Sequence, residues 1–123
     1  VEFVYDHEAG AHHYADRSFD SWRNMARSYG ENDVAFARGG QTWLLGTMSQ
    51  EFRSRHRLVQ TLVRTCVPRP RLAAATSAAL ARVARITGRT GPQAVAHQAL
   101  SAIYGLTYFQ GVAAALGSSD RLL

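Results

Sequence analysis

No lysine occurs in this chain, and all fourteen of its basic residues are arginine. Arginine presents a planar donor fork suited to phosphate and carboxylate groups. A biased base composition in the coding sequence would leave the same pattern. Cysteine is nearly absent as well. The single Cys66 excludes an internal disulfide and any cysteine-rich zinc spacing, and it fits a reducing compartment. No Gly-x-Ser-x-Gly is present and no phosphate-loop lysine, so a nucleophile-elbow hydrolase and a phosphate-loop nucleotide triphosphatase both lack their motifs. Acids are scarce beyond the first third. Residues 1–33 hold seven acids and three arginines, and residues 34–123 hold two acids and eleven arginines. The net charge of +5 therefore hides a balance of −4 followed by +9.

What is present begins with Val4-Tyr5-Asp6-His7-Glu8-Ala9-Gly10-Ala11-His12-His13-Tyr14, the densest run of chemistry-capable side chains. Val1 to Tyr5 alternates and is β-prone, so it reads as a short strand. Asp6 opens a polar turn in which Gly10 tolerates a positive φ. Ser18 is the expected N-cap of the first helix.

That helix is predicted over about Phe19 to Tyr29. Phe19, Trp22, Met25, Ala26 and Tyr29 share one face, and Gly30 is the expected stop. A further turn or two covers Glu31 to Arg38, and Gly39-Gly40 reads as a hinge. Trp43-Leu44-Leu45 fits a strand or a buried helix. Thr47 or Ser49 is a candidate cap for a long helix ending near Cys66, with Phe52, Val59, Leu62, Val63 and Cys66 as its apolar stripe. Pro68 and Pro70 break it. Leu72 to Thr87 is an alanine-rich helix, with Leu72, Ala75, Ala79, Leu80, Val83 and Ile86 expected on its inner side.

Thr90 to Ser119 carries no formal charge. Gln93, His97, Gln98, Ser101, Thr107 and Gln110 interrupt it, which argues for a helix packed on its predecessor rather than a membrane span. An in-plane anchor using Tyr104, Tyr108 and Phe109 is the second reading. Arg53, Arg55, His56 and Arg57 form a compact basic cluster, either a solvated face or a grip on an anionic membrane surface. It lacks the interleaved aromatics of a nucleic-acid platform, so no nucleic acid is expected as a partner.

The run Phe3-Val4-Tyr5-Asp6-x-Glu8-Ala9-x-x-x-His13 resembles a segment of the family 2 glycosyltransferases of GT-A fold. The following Ser18-Phe19-x-x-Trp22-x-x-x-x-Arg27-x-Tyr29-Gly30-x-x-Asp33-Val34 is similar to the family's next helix. The likeness covers about the first forty residues well and the rest weakly. It implies a mainly α chain whose short N-terminal β segment is the edge of a GT-A α/β domain. Residues 1–40 would close the catalytic domain and residues 41–123 would form a helical extension.

The reaction implied is sugar transfer from a nucleotide-sugar to an acceptor. The resemblance places a divalent metal, Mn²⁺ or Mg²⁺, in the whole enzyme. His13 is the implied ligand and His12 the neighbouring candidate. Adjacent residues of an extended strand point to opposite faces, so both should not reach one ion. The other reading of His13 is a turn histidine bonded to backbone. The family's Asp-x-Asp motif and catalytic acid do not occur here, so the chain is expected to be the C-terminal part of a longer enzyme and inactive alone. Processive members carry Gln-x-x-Arg-Trp, whereas this chain has Ser21-Trp22-Arg23 without the glutamine, which argues against a polymerase. Trp22, Arg23 and Arg27 are the candidate substrate-binding residues. Trp22 also reads as core, and both arginines also read as solvated. The expected location is the cytoplasm, peripheral to the inner face of the membrane. The alternative function is a free-standing basic helical module for acidic partners or a membrane surface.

Overall fold

The computed structural model describes residues 18–117. Five helices make up these residues: α1 Phe19–Arg38, α2 Trp43–Ser54, α3 Arg57–Cys66, α4 Pro70–Thr90 and α5 Gln93–Leu116. Among the described residues the fold is all-helical, as the mainly α expectation requires. The expected N-terminal β segment lies outside them.

Helix α5 is the centre of the bundle, and α1 and α4 lie along it. Its composition explains this. Ala96, Ala99, Ala102, Ile103, Gly105, Leu106, Phe109, Gly111 and Val112 are buried at positions around much of its circumference. A helix apolar on nearly every side must be covered on every side. By length and composition alone α5 could cross a membrane, yet its neighbours already cover its most apolar part. Tyr104 and Tyr108, which with Phe109 offered an in-plane anchor as the second reading, are half-buried, and Phe109 is buried.

Helix α1 corrects the expected stop at Gly30. The Ser18 hydroxyl accepts from the Ser21 amide at 3.2 Å and starts the helix as expected. The helix then runs unbroken through Gly30 to Arg38. Glycine costs about 1 kcal/mol in a helix interior, so a compensation is needed. It is proximity: a Cβ at Gly30 would sit 2.2 Å from the Tyr108 carbonyl oxygen and 2.9 Å from the Val112 nitrogen. One turn away a Cβ at Gly111 would sit 2.1 Å from the Arg27 carbonyl oxygen. The two glycines face each other's helix and let α1 and α5 cross backbone to backbone. Ala26, Val34 and Ala37 bury the rest of that seam.

The predicted long helix ending at Cys66 is two helices, and Trp43-Leu44-Leu45 opens the first of them rather than forming a strand. The break falls at Arg55-His56, inside the arginine cluster. Arg53 and Arg57, spaced i,i+4, would repel on one helix face. Ser54 instead donates to the Glu51 carbonyl at 2.7 Å. The Gln60 amide donates to the carbonyls of Arg53 at 3.0 Å and Arg55 at 2.7 Å, groups that the break would otherwise strand. His56 Nδ1 accepts from the Leu58 amide at 3.3 Å and caps α3.

Helix α4 begins at Pro70, where a missing N–H costs nothing. Its inner face differs from the expected one. Ala73, Ser77 and Ala84 are buried, while Leu72, Val83 and Ile86 are exposed. The small residues go inward because α5 offers alanines there, and small against small permits close approach. Hydrophobic periodicity alone favours the larger residues and so selects the wrong side. The main core joins Val34, Met48, Phe52, Val63, Phe109 and Val112. Within it Phe52 meets Phe109 edge-on at 5.2 Å between ring centroids.

Candidate functional site

The crossing at Gly30 and Gly111 divides the surface of α1 into two flanks. On one flank stand Trp22, Tyr29 and Asp33, spaced to share a side of the helix. Tyr104 and Tyr108 of α5, one turn apart, come up against them. Glu51 of α2 and Arg55, the residue just after its last turn, close the third side. Apart from Trp22, these groups together with Phe109 line a pocket of about 250 Å³.

Four of its polar groups form two pairs. The Tyr108 hydroxyl donates to Asp33 Oδ2 at 2.6 Å. Arg55 forms an ion pair with Glu51. Burial, then the hydrogen bond to Asp33, then the negative charges of Asp33 and Glu51 push the Tyr108 hydroxyl far above its usual range. It therefore remains a protonated donor at any physiological pH. Tyr104 is raised too, first by burial and then by Tyr29, Glu51 and Asp33, with Arg55 acting in the opposite direction. Such a pocket offers carboxylate acceptors beside aromatic faces, a donor set for hydroxyl-rich or cationic groups. It also pins α1, α2 and α5 to one another.

Trp22 adjoins this pocket through Tyr104, with ring centroids 5.7 Å apart, and stacks on Phe19 at 5.6 Å. It is half-buried among aromatics, as a packing residue would be, with one edge open. Arg23 lies over the Phe19 ring at 5.9 Å and approaches Asp20 at 3.8 Å. Arg27 is on the opposite flank, where its Nε is bonded to Glu31 at 3.0 Å. It borders a separate cleft with Val67, Pro68, Pro70 and Gln110. The three candidate substrate-binding residues thus do not converge. Trp22 belongs to the tyrosine side and Arg27 to the other.

His12 and His13 lie outside the described residues. Among the described residues no three of His, Cys, Asp or Glu gather as a metal would require. The described residues do not by themselves gather a divalent-cation site.

No family model, curated protein or solved structure matches the chain.

The sequence reading missed Asp33, Glu51 and Arg55 as members of one cluster. Tyr29 with Asp33 on α1, Tyr104 with Tyr108 on α5, and Glu51 with Arg55 at the end of α2 are three i,i+4 pairs. That shared spacing was the available signal. The pairing of helices was not, because it depends on the two glycines.

Proposed function

We propose that the chain is the C-terminal part of a nucleotide-sugar-dependent glycosyltransferase of family 2 type, incapable of sugar transfer without its upstream region. The observation that carries this reading is one of order. The Phe3 to His13 spacing is followed at Ser18 by a capped helix bearing Trp22, Arg23 and Arg27. In this reading residues 1–40 close the catalytic domain, and residues 41–123 are an extension clamped to it through α1 and α5. Trp22 and the tyrosine pocket face the acceptor side, and Mn²⁺ or Mg²⁺ is held largely by upstream carboxylates with His13.

The test is the coding sequence ahead of Val1 together with one substitution. An open frame carrying Asp-x-Asp and, shortly before Val1, Glu-Asp supports the proposal, and a start codon directly before Val1 sinks it. In the longer protein His13→Ala should weaken the dependence on Mn²⁺ and lower turnover without unfolding. An unchanged metal titration would remove the ligand role, and His12→Ala serves as control.

A second reading, a basic helical module acting on acidic partners or membranes, is favoured by a different observation. From Phe52 to Gly117 the chain has nine arginines and no acid.

A further inference from the structure

Helix α4 presents two stripes to solvent. Leu72, Ala79, Val83 and Ile86 recur at helical spacing along one of them, and none is buried. Val83 is 40% exposed and Ile86 55% exposed. Arg71, Arg82, Arg85 and Arg89 run beside them along the adjoining edge, all exposed. Leu72 to Ile86 spans about 21 Å at the α-helical rise.

The apolar stripe does not stop at α4. Next to it a groove of about 430 Å³ is lined by Leu58, Val59, Leu62, Val83 and Val95. Leu58, at the start of α3, is 73% exposed, and Arg57 precedes it. Apolar surface of this extent, rimmed by charge, marks a contact site. No acid lies anywhere on α3, α4 or α5, and the three ion pairs among the described residues use Asp20, Glu31 and Glu51. Among the described residues no carboxylate is paired with an arginine of α4.

We infer that the α3–α4 face rests on an anionic lipid bilayer, with the α4 stripe in the headgroup layer and its arginines on lipid phosphates. Two features favour a bilayer over an acidic protein. The charge is of one sign along the whole edge, which suits a delocalised anionic surface. A partner held in one register is ordinarily selected by mixed signs or by repulsive elements. The apolar side chains also stand out as a ridge, the arrangement by which a basic amphipathic helix lies in the interface plane. Guanidinium forks bind phosphate oxygens in pairs. This inference rests on exposure and charge alone and does not depend on the glycosyltransferase reading.

The test is co-sedimentation of the full chain with vesicles of phosphatidylcholine containing 30% phosphatidylglycerol, and with pure phosphatidylcholine. Binding to the anionic vesicles is expected, with little to the neutral ones. It should fall steeply as salt rises, since exposed charges are screened within about 8–10 Å at physiological ionic strength. Each arginine near such a surface contributes about a fivefold factor, so Arg82→Gln/Arg85→Gln/Arg89→Gln should weaken partitioning by about a hundredfold. Val83→Ser/Ile86→Ser should weaken it by about tenfold or more while helicity is retained. The residues of both variants are exposed or at the helix edge, and circular dichroism reports their folding directly. Equal, salt-insensitive binding to neutral vesicles would overturn the inference. So would loss of binding in Trp43→Ser with the α4 variants unchanged, because the contact would then lie at the α1–α2 corner. So would absence of vesicle binding alongside saturable binding of a glutamate-rich amphipathic peptide.

Discussion

Replacing Gly30 by alanine tests the central packing claim. In a solvated helix interior the change would stabilise by up to about 1 kcal/mol, through helix propensity and a less flexible unfolded chain. At Gly30 the new methyl would lie 2.2 Å from the Tyr108 carbonyl oxygen and 3.0 Å from a methyl of Val112. Ordinary contact begins near 3.4 Å, so α1 and α5 must part by about 1 Å. A backbone oxygen inside a helix cannot swing aside as a side-chain tip can. Separation loosens the buried seam of Ala26, Val34 and Val112 and pulls Tyr108 from Asp33. Overpacking typically costs about 1–3 kcal/mol, and loss of a hydrogen bond to a charged group adds about 1.5–3 kcal/mol. Even after subtracting the propensity gain, a net loss of about 2–4 kcal/mol is expected. For a chain of this size that lowers Tm by roughly 6–16 °C. Gly111→Ala should behave alike, since its methyl would meet the Arg27 carbonyl. Gly46→Ala, on α2 with nothing within 4 Å, should be neutral or raise Tm. Urea and thermal melts followed by circular dichroism compare all three. Shifts of the same sign at Gly30 and Gly46 would refute the backbone-to-backbone crossing.

The raised Tyr108 hydroxyl makes stability depend on alkaline pH. The folded form keeps a proton that the unfolded chain releases near pH 10, so the contribution is complete below that value and is lost as pH rises above it, by at most about 1.4 kcal/mol per pH unit for one proton. No lysine competes in this window, and Tyr108→Phe should flatten the fall in Tm between pH 9.5 and 11.5, roughly the range above the unfolded tyrosine value. Gln60→Ala strands two carbonyls at the α2–α3 elbow and should cost about 1–2 kcal/mol in urea unfolding; no change would mean water replaces the amide without penalty. The 123-residue chain alone should show no transfer or hydrolysis with common nucleotide-sugars, and turnover abolished by His13→Ala would overturn the view that it is a part.

Much of the helical layout was readable because its signals are local. Ser18 starts α1 through its own hydroxyl, and Pro70 opens α4. The uncharged run after Thr90 becomes the central helix. What escaped depends on partners distant in sequence. Gly30 looks the same as a C-terminal stop or as a crossing point, and only α5 decides between them. On α4 the alanine face and the Leu72–Val83–Ile86 face are both plausible cores until a small-residue neighbour selects one. The break at Arg55-His56 combines charge repulsion with a glutamine that supplies the released carbonyls, and no single residue announces it. The tyrosine pocket could not be assembled from spacing, since its three i,i+4 pairs meet only after α1 and α5 have crossed.

The position of α5 has a consequence for synthesis. Among the five described helices, the first to be synthesised, α1, has its main partner in the last, α5. At about 5–20 residues per second, α1 waits roughly 4–16 s for Gly111 to follow Gly30. During that interval Ala26, Val34 and Ala37 lack the α5 face of their seam, and α3 and α4 lack the same scaffold. The described bundle therefore closes only once α5 has been made, and a chain cut short at Gly91 should remain a protease-sensitive species rather than a smaller folded domain.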